Sequence, residues 1–396
     1  METIQITLPS SKSLSNRWLV MDFLSKNGIK IKNLSTADDT QLIKRLLRQL
    51  KLNRRHNYDC QNAGTAARVL TAMLAITPGT HYLTGSERLC QRPMAPLFDA
   101  LRAIGCQIKC TEKEGFLPVQ IEGVTPNNNR VSIDCTMSSQ FATALLLAAV
   151  KLPTGMAVEL KGSVASAPYL AMTLETFTQA GVPWVLKGNP PAYFVDYHIP
   201  QCELVSIEKD WSAASFFYTL AAIKDECSLI MPGLSMQSHQ GDSAVKAIFE
   251  KLGITSTQVG QAVKIEKTKK AVDLLEYDFV NTPDLLPSVA VACAWMGVES
   301  KLSGIANTRL KESDRVDAIV TELRKMKVEV TTDGDVMHIL PSKIEVTEPV
   351  ETYGDHRIAM AFAPLKAQFP NIEIINPEVV SKSFPAFFEM LDRALA

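Results

Sequence analysis

Cationic side chains recur at particular points of this sequence: Lys12 and Arg17, Arg68, Arg88 and Arg92, Lys311 and Arg315, His356 and Arg357, and Lys382. They stand at the starts of apolar, helix-like runs or in the loops between them. The first turn of a helix exposes unpaired N–H groups and a partial positive charge, so it receives anions readily. Guanidinium forks add bidentate recognition of carboxylate and phosphate oxygens. The pattern therefore points to a small polyanion, or a pair of them, as ligand. Each residue also has an ordinary reading: an Arg early in a helix is usually a solvated charge. Ser138-Ser139-Gln140 ahead of an apolar run is usually an N-cap, and Asp284 after Pro283 can be a capping acid. What favours the functional reading is that the cations fall at equivalent points of a repeated unit.

The chain as a whole is nearly neutral, with 41 basic and 42 acidic residues among 396. A generic nucleic-acid binder or anionic-membrane binder carries a basic excess, so neither partner is expected, and anion binding has to come from local placement. The eight cysteines form no CxxC pair and no His/Cys cluster with zinc spacing. Scattered thiols in a chain of this length suit a reducing compartment, and the amino terminus shows no basic segment followed by an apolar core, so a cytoplasmic location is expected. The most apolar stretch, Ala142 to Val150, falls well short of the ~20 residues a bilayer span needs.

Six apolar runs follow short polar turns: from Ser11, Asn62, Ser138, Asp210, Pro283 and Asp355. Each is dominated by Ala, Leu, Met and Phe on all sides, which predicts a buried helix. A second, amphipathic pattern begins near Gln41, Met94, Met172, Ala244, Val316 and Phe387, about 30 residues after the first each time, a lag that marks an internal repeat. A short strand lies between the two helices, and most units end in a hairpin pattern such as VEVTTDGDVMHIL. The expected fold is α/β, with two domains of three β/α units each, helices buried and sheets outside. A doubly wound sheet covered by helices is the inverse arrangement, and neither GxGxxG nor GxxxxGK[ST] occurs. If the units share an approximate symmetry their loops face one end, and two such domains would focus the cations in one cleft.

The motifs that carry these residues resemble a known family. SSKSLSNR (Ser10–Arg17), NAGTAAR (Asn62–Arg68), RLCQRP (Arg88–Pro93), SSQF, NTRLKESDR (Asn307–Arg315), YGDHR (Tyr353–Arg357) and SKSFP (Ser381–Pro385) resemble, in order and across the chain, the signatures of 5-enolpyruvylshikimate-3-phosphate synthases. The resemblance implies an inside-out α/β barrel in two domains, six βαβαββ-type repeats, with 10–208 as one domain and 1–9 together with 209–396 as the other. It implies transfer of the carboxyvinyl group of phosphoenolpyruvate to the 5-hydroxyl of shikimate 3-phosphate, without metal or organic cofactor. Shikimate 3-phosphate is then held by Lys12, Ser13, Arg17, Ser138, Ser139, Gln140, Ser166, Tyr169, Asp284, Asn307 and Lys311. Phosphoenolpyruvate is held by Lys12, Gly64, Arg92, Gln140, Arg315, His356, Arg357 and Lys382. Asp284 and Glu312 are implied as the proton-transfer pair, with Lys12 as a further participant. The family's sensitivity to glyphosate is also implied, because Gly64 is retained.

Three positions depart from the family pattern: Ser10 in place of Gly, Ala167 where a cation is frequent, and Val69 where Pro is frequent. Two other readings compete. One is the sister transferase acting on UDP-N-acetylglucosamine, whose functional Cys sits at an offset that falls here on Glu87 rather than Cys90. The other is a non-catalytic binding module on the same scaffold. The SNR, KESDR and DHR segments favour the shikimate enzyme, and intact Lys12, Asp284, Glu312 and Lys382 favour catalysis. A monomer is expected, since each domain buries its own helices.

Overall fold

The six apolar runs fold as helices enclosed on every side, and the amphipathic runs fold as helices with one buried face. The structure, a computed structural model, describes residues 3–52, 56–126 and 128–396; the first two residues of the expected 1–9 segment lie outside it. The buried set is α1 (Lys12–Leu24), α3 (Gly64–Ala75), α5 (Gln140–Ala149), α7 (Trp211–Ile223), α9 (Leu286–Met296) and α11 (His356–Phe362). The amphipathic set is α2 (Asp38–Leu52), α4 (Ala95–Ala103), α6 (Ala167–Gln179), α8 (Val245–Lys251), α10 (Arg315–Lys325) and α12 (Phe387–Leu395). In α5 every residue from Phe141 to Ala149 is buried, and in α7 only Ser212 is not. In α10 the buried apolar residues Val316, Ile319, Val320 and Leu323 recur at helical spacing, while Asp317, Thr321 and Arg324 lie off that stripe.

The chain divides into two compact units: Met1–Ser11, Thr36–Asp38 and Glu208–Ala396 form one, Lys12–Ser35 and Asp39–Ile207 the other. The division runs at Lys12 and Glu208 rather than at 10 and 209, and it groups the three-residue piece before α2 with the first unit, a detail that periodicity does not encode. Each unit has its own apolar core.

The sheets repeat one topology. In the second unit Gly79–Thr84 pairs in parallel with Asn57–Asp59 and antiparallel with Val119–Gly123, which carries Gln107–Cys110 outside it. The same order recurs for Arg130–Asp134, Met156–Lys161, Ala192–Val195 and Trp184–Lys187. In the first unit it recurs around Ser228–Pro232 and around Glu299–Ser303, the former taking the amino-terminal Ile4–Gln5 as its parallel partner. The two remaining repeats are shorter than the expected βαβαββ. Among the described residues Lys30–Lys32 pairs only with Leu204–Ser206, α2 ending at Leu52 and the next strand beginning at Asn57. The last repeat keeps one parallel bridge, Val350 to Ile374, and no hairpin follows α12 among the described residues.

Hydroxyl groups between two of the enclosed helices are paired. Ser215 of α7 and Ser288 of α9 are 2.8 Å apart, and Thr219 donates to the Ser288 carbonyl at 3.0 Å. Such small hydroxyls let two enclosed helices approach without stranding a polar atom. Close approach also fixes Gly123: a Cβ there would lie 1.6 Å from the Thr77 carbonyl oxygen just beyond α3. Gly123→Ala is therefore expected to cost about 3 kcal/mol, read as a lower urea midpoint. A variant as stable as the parent would show that this strand and the end of α3 part easily.

Candidate active site

In the second unit the expected ligands gather at the amino-terminal ends of α1, α3, α5 and α6. Lys12 opens α1 and its ammonium lies 3.1 Å from Asp39 Oδ2 on α2. The residue ahead of α3 is Ala63, whose methyl group cannot accept from the first turn. Gly64 follows, and the Nη1 atoms of Arg92 and Arg68 would lie 2.6 and 2.7 Å from a Cβ built on it. Two buried guanidinium groups thus converge on the start of a helix, an arrangement suited to an anion, and a Cβ on Gly64 would push both guanidinium ends aside. On α5, Ser138 Oγ accepts from the Gln140 N–H at 3.2 Å and Ser139 donates to the Ser166 carbonyl at 3.1 Å. Ser166 itself sits in the left-handed region at φ 59°, a conformation uncommon outside glycine. Gln140 Oε1 is buried without a hydrogen-bond partner, so it is an acceptor in need of a donor.

Arg17, expected as a shikimate 3-phosphate ligand, lies between α1 and α6 and bonds to both. Its Nε donates to Thr173 Oγ1 at 2.8 Å, Nη1 to the Ser13 carbonyl at 2.8 Å and Nη2 to the Tyr169 carbonyl at 2.6 Å. These bonds tie α1 to α6, and burial pulls its pKa down to about 10 despite an opposing contribution from Tyr169. The guanidinium sets the backbone of Ser13 and Tyr169, two further expected ligands.

In the first unit the site is built around Arg315, the first residue of α10, which is 1% exposed. Its Nη1 meets Asp284 Oδ1 at 2.7 Å, Nη2 meets Glu312 Oε2 at 2.9 Å, and Nε meets Asp355 Oδ2 at 2.7 Å. The second oxygen of Asp284 takes Arg357 Nη2 at 2.7 Å, and Lys382 Nζ lies 3.8 Å from Glu312 Oε1. Three carboxylates and three cations are thereby interlocked, which is how buried charge is tolerated. Asp355 also caps α11, accepting from the Arg357 N–H at 2.9 Å, and accepts from Ser313 Oγ at 3.2 Å. Asn307 and Lys311 lie in and just after the short turn Ala306–Leu310, and His356 is buried beside Asp355.

The charges decide the protonation states. Burial pushes the Asp284 carboxyl up, but Arg357, Arg315 and Lys311 outweigh it and hold the group well below the usual carboxylate range. Burial would lower the Arg315 pKa, yet Asp355, Glu312 and Asp284 raise it further, so it stays charged. Asp242, which takes a hydrogen bond from Ser212, is pushed up to about 6 by burial and by the Asp284 charge, against the pull of Arg357.

Sequence reasoning did not single out Asp39, Asp242 or Asp355 as members of these clusters. Asp355 stands inside YGDHR at the start of an apolar run and reads as a cap, and Asp39 stands inside the loop segment TADDT. Both lie in segments that the pattern marks, whereas Asp242 has no local signal. Cys90 is half-buried, its thiol donating to the Gly85 carbonyl at 3.6 Å.

Comparison with known proteins adds three findings. The profile of the family EPSP synthase (3-phosphoshikimate 1-carboxyvinyltransferase) matches residues 3–391. The chain is 37% identical over 394 residues to a 3-phosphoshikimate 1-carboxyvinyltransferase of Bacteroides fragilis, covering 98% of this chain and 94% of that one. It is 34% identical over 412 residues to the enzyme of the same name from Sulfurovum, with 98% and 96% covered. Its fold is similar to that of the solved EPSP synthase of Acinetobacter baumannii, with a TM-score of 0.75 at 22% identity over 99% of this chain and 96% of that one.

Asp242 generates a pH test. Its proton is held more tightly in the native state than in the unfolded chain, so its contribution to stability is full below about pH 4 and is lost as pH rises through about 6. Asp242→Asn lacks this titration. The stability difference, parent minus variant, is expected to fall between those pH values in denaturation curves; a flat difference would show that Asp242 titrates normally.

Proposed function

The chain belongs to the EPSP synthase family, and from that premise we propose how its residues carry the family reaction. The 5-hydroxyl of shikimate 3-phosphate adds to C2 of phosphoenolpyruvate while a proton adds to C3. The resulting tetrahedral intermediate then loses phosphate from C2 and a proton from C3, giving 5-enolpyruvylshikimate 3-phosphate.

The observation that carries the assignment is that Asp284 and Glu312 are both held by one buried guanidinium. We assign Asp284 to the 5-hydroxyl and Glu312 to the C3 proton, with Lys12 as a further participant. In the resting state Asp284 is too strongly held to be an effective base. An incoming phosphate or carboxylate that draws Arg357 and Arg315 toward itself weakens that hold and raises the proton affinity of Asp284, so phosphoenolpyruvate binding primes the base. Arg92, Gly64, His356, Arg357, Lys382, Arg315 and Lys12 are assigned to phosphoenolpyruvate. Lys12, Ser13, Arg17, Ser138, Ser139, Ser166, Tyr169, Asp284, Asn307 and Lys311 are assigned to shikimate 3-phosphate, and Arg17 also supports the backbone of Ser13 and Tyr169. Gln140 serves both substrates, its unpaired Oε1 suiting a substrate hydroxyl. Among the described residues no helix is long and apolar enough to cross a membrane; we further propose a monomeric cytoplasmic enzyme, each unit having its own core.

Phosphate release should be seen with shikimate 3-phosphate as acceptor and not with UDP-N-acetylglucosamine; the reverse would move the assignment to the sister transferase. Glu312→Gln keeps size and polarity but cannot shuttle the C3 proton, so kcat should fall by about 10²–10⁴ while shikimate 3-phosphate binding stays near that of the parent. Near-normal turnover would make Glu312 a structural acid.

A further inference from the structure

We propose that Glu322 and Tyr353 form a clasp that positions His356 and Arg357, and through them phosphoenolpyruvate, an inference that rests on the reaction assigned above. Glu322 is fully buried on α10, two turns beyond Arg315, and three donors converge on its carboxylate. The Tyr353 hydroxyl reaches Oε1 at 2.6 Å; Lys325 Nζ at 2.8 Å and the Glu351 N–H at 3.3 Å reach Oε2. Lys325 also donates to the Pro349 carbonyl at 2.5 Å. Alternate residues 349, 351 and 353 are thus fastened to the helix that begins with Arg315.

Beyond the clasp the chain turns sharply. The Asp355 N–H bonds to the Thr352 carbonyl at 2.8 Å, and both residues between have positive φ, 54° at Tyr353 and 65° at Gly354. This is the pattern of a type I′ turn. Gly354 adopts it freely, and a Cβ there would meet nothing within 4 Å, so its contribution is conformational. Tyr353 does not adopt it freely: a bulky residue in the left-handed region persists only when its surroundings hold it. Packing is a weak restraint, because Tyr353 is 41% exposed, so beyond the turn's own backbone bond the short bond to a buried carboxylate is the side-chain restraint. The turn delivers Asp355 to Arg315 and to the start of α11, with His356 and Arg357 next in the chain. A turn that relaxes moves all three together. Glu322 and Tyr353 are positioning residues in this account.

Tyr353→Phe removes one hydroxyl from a half-exposed ring and should fold as the parent does. Its KM for phosphoenolpyruvate is expected to rise about tenfold, the effect of one hydrogen bond to a charged group, while the Kd for shikimate 3-phosphate alone stays unchanged. Amide exchange over residues 352–357 should quicken by a similar factor. Glu322→Ala should act in the same direction, the double variant should be no worse in KM than Glu322→Ala, and Glu322→Gln should recover part of the loss because its amide oxygen still accepts from Tyr353. A folded Tyr353→Phe protein with parental KM and exchange would overturn the clasp, as would losses that simply add. If the parent itself fails to turn over the two substrates, the reaction assignment falls instead. The clasp is then judged on exchange alone, and unchanged protection of residues 352–357 in Tyr353→Phe overturns it.

Discussion

A guanidinium sealed from water among three carboxylates is the constraint on which the first unit's charged cluster depends. Arg315 is held through Nε, Nη1 and Nη2, and each nitrogen points to an acid from a different part of the chain: Asp355 before α11, Asp284 before α9, Glu312 in the loop before α10. Removing any one acid would leave buried charge uncompensated, at about 3–5 kcal/mol. The same geometry gives the two proposed proton carriers fixed positions from one anchor. Because the cluster is locally neutral, it can be buried without ruling out exchange of partners when an anionic substrate arrives.

Helix ends supply the remainder of the chemistry. Asp314 and Asp355 spend side-chain oxygens on the first turns of α10 and α11, whereas α3 is preceded by Ala63 and has no side-chain cap. The first two ends are closed by acids that also take part in ion pairs; the third is flanked by Arg68 and Arg92. A helix start closed by a carboxylate fixes cations, and one left open beside arginines receives anions. Both kinds are built from the same repeated unit, which accounts for a nearly neutral molecule having strongly charged sites.

The enclosed helices were legible in the sequence because a helix that is apolar all round admits one reading once six copies share a spacing. Their amphipathic partners were less so: α6 begins at Ala167 rather than near Met172, since Ser166 turns left-handed and Pro168 suits a first helical turn. That two repeats lack the hairpin among the described residues is obscured by the strength of the repeat itself. At the site, residue types point to anion binding but do not say how each group is paired within the protein. Arg17 reads as an anion contact, and the sequence gives no sign that its guanidinium also donates to two backbone carbonyls and to Thr173. The acid that orients Arg315 and caps α11 escaped notice because an Asp before a helix reads as a cap, and Asp355 is both cap and ion-pair partner. Side-chain pairing between distant segments leaves no periodic trace in a single sequence.

The state of Asp284 tests the account most directly. Carbon-detected NMR titration of the aspartate carboxyls, with Asp284 assigned by its absence in Asp284→Asn, reads that group in the resting protein. The account predicts that its signal stays that of an ionised carboxylate through the normal Asp range, down to the acid limit of the fold. Saturating phosphoenolpyruvate should then move its titration upward. A midpoint at or above the ordinary Asp value without substrate would contradict the claim that Arg315 and Arg357 hold Asp284 in check.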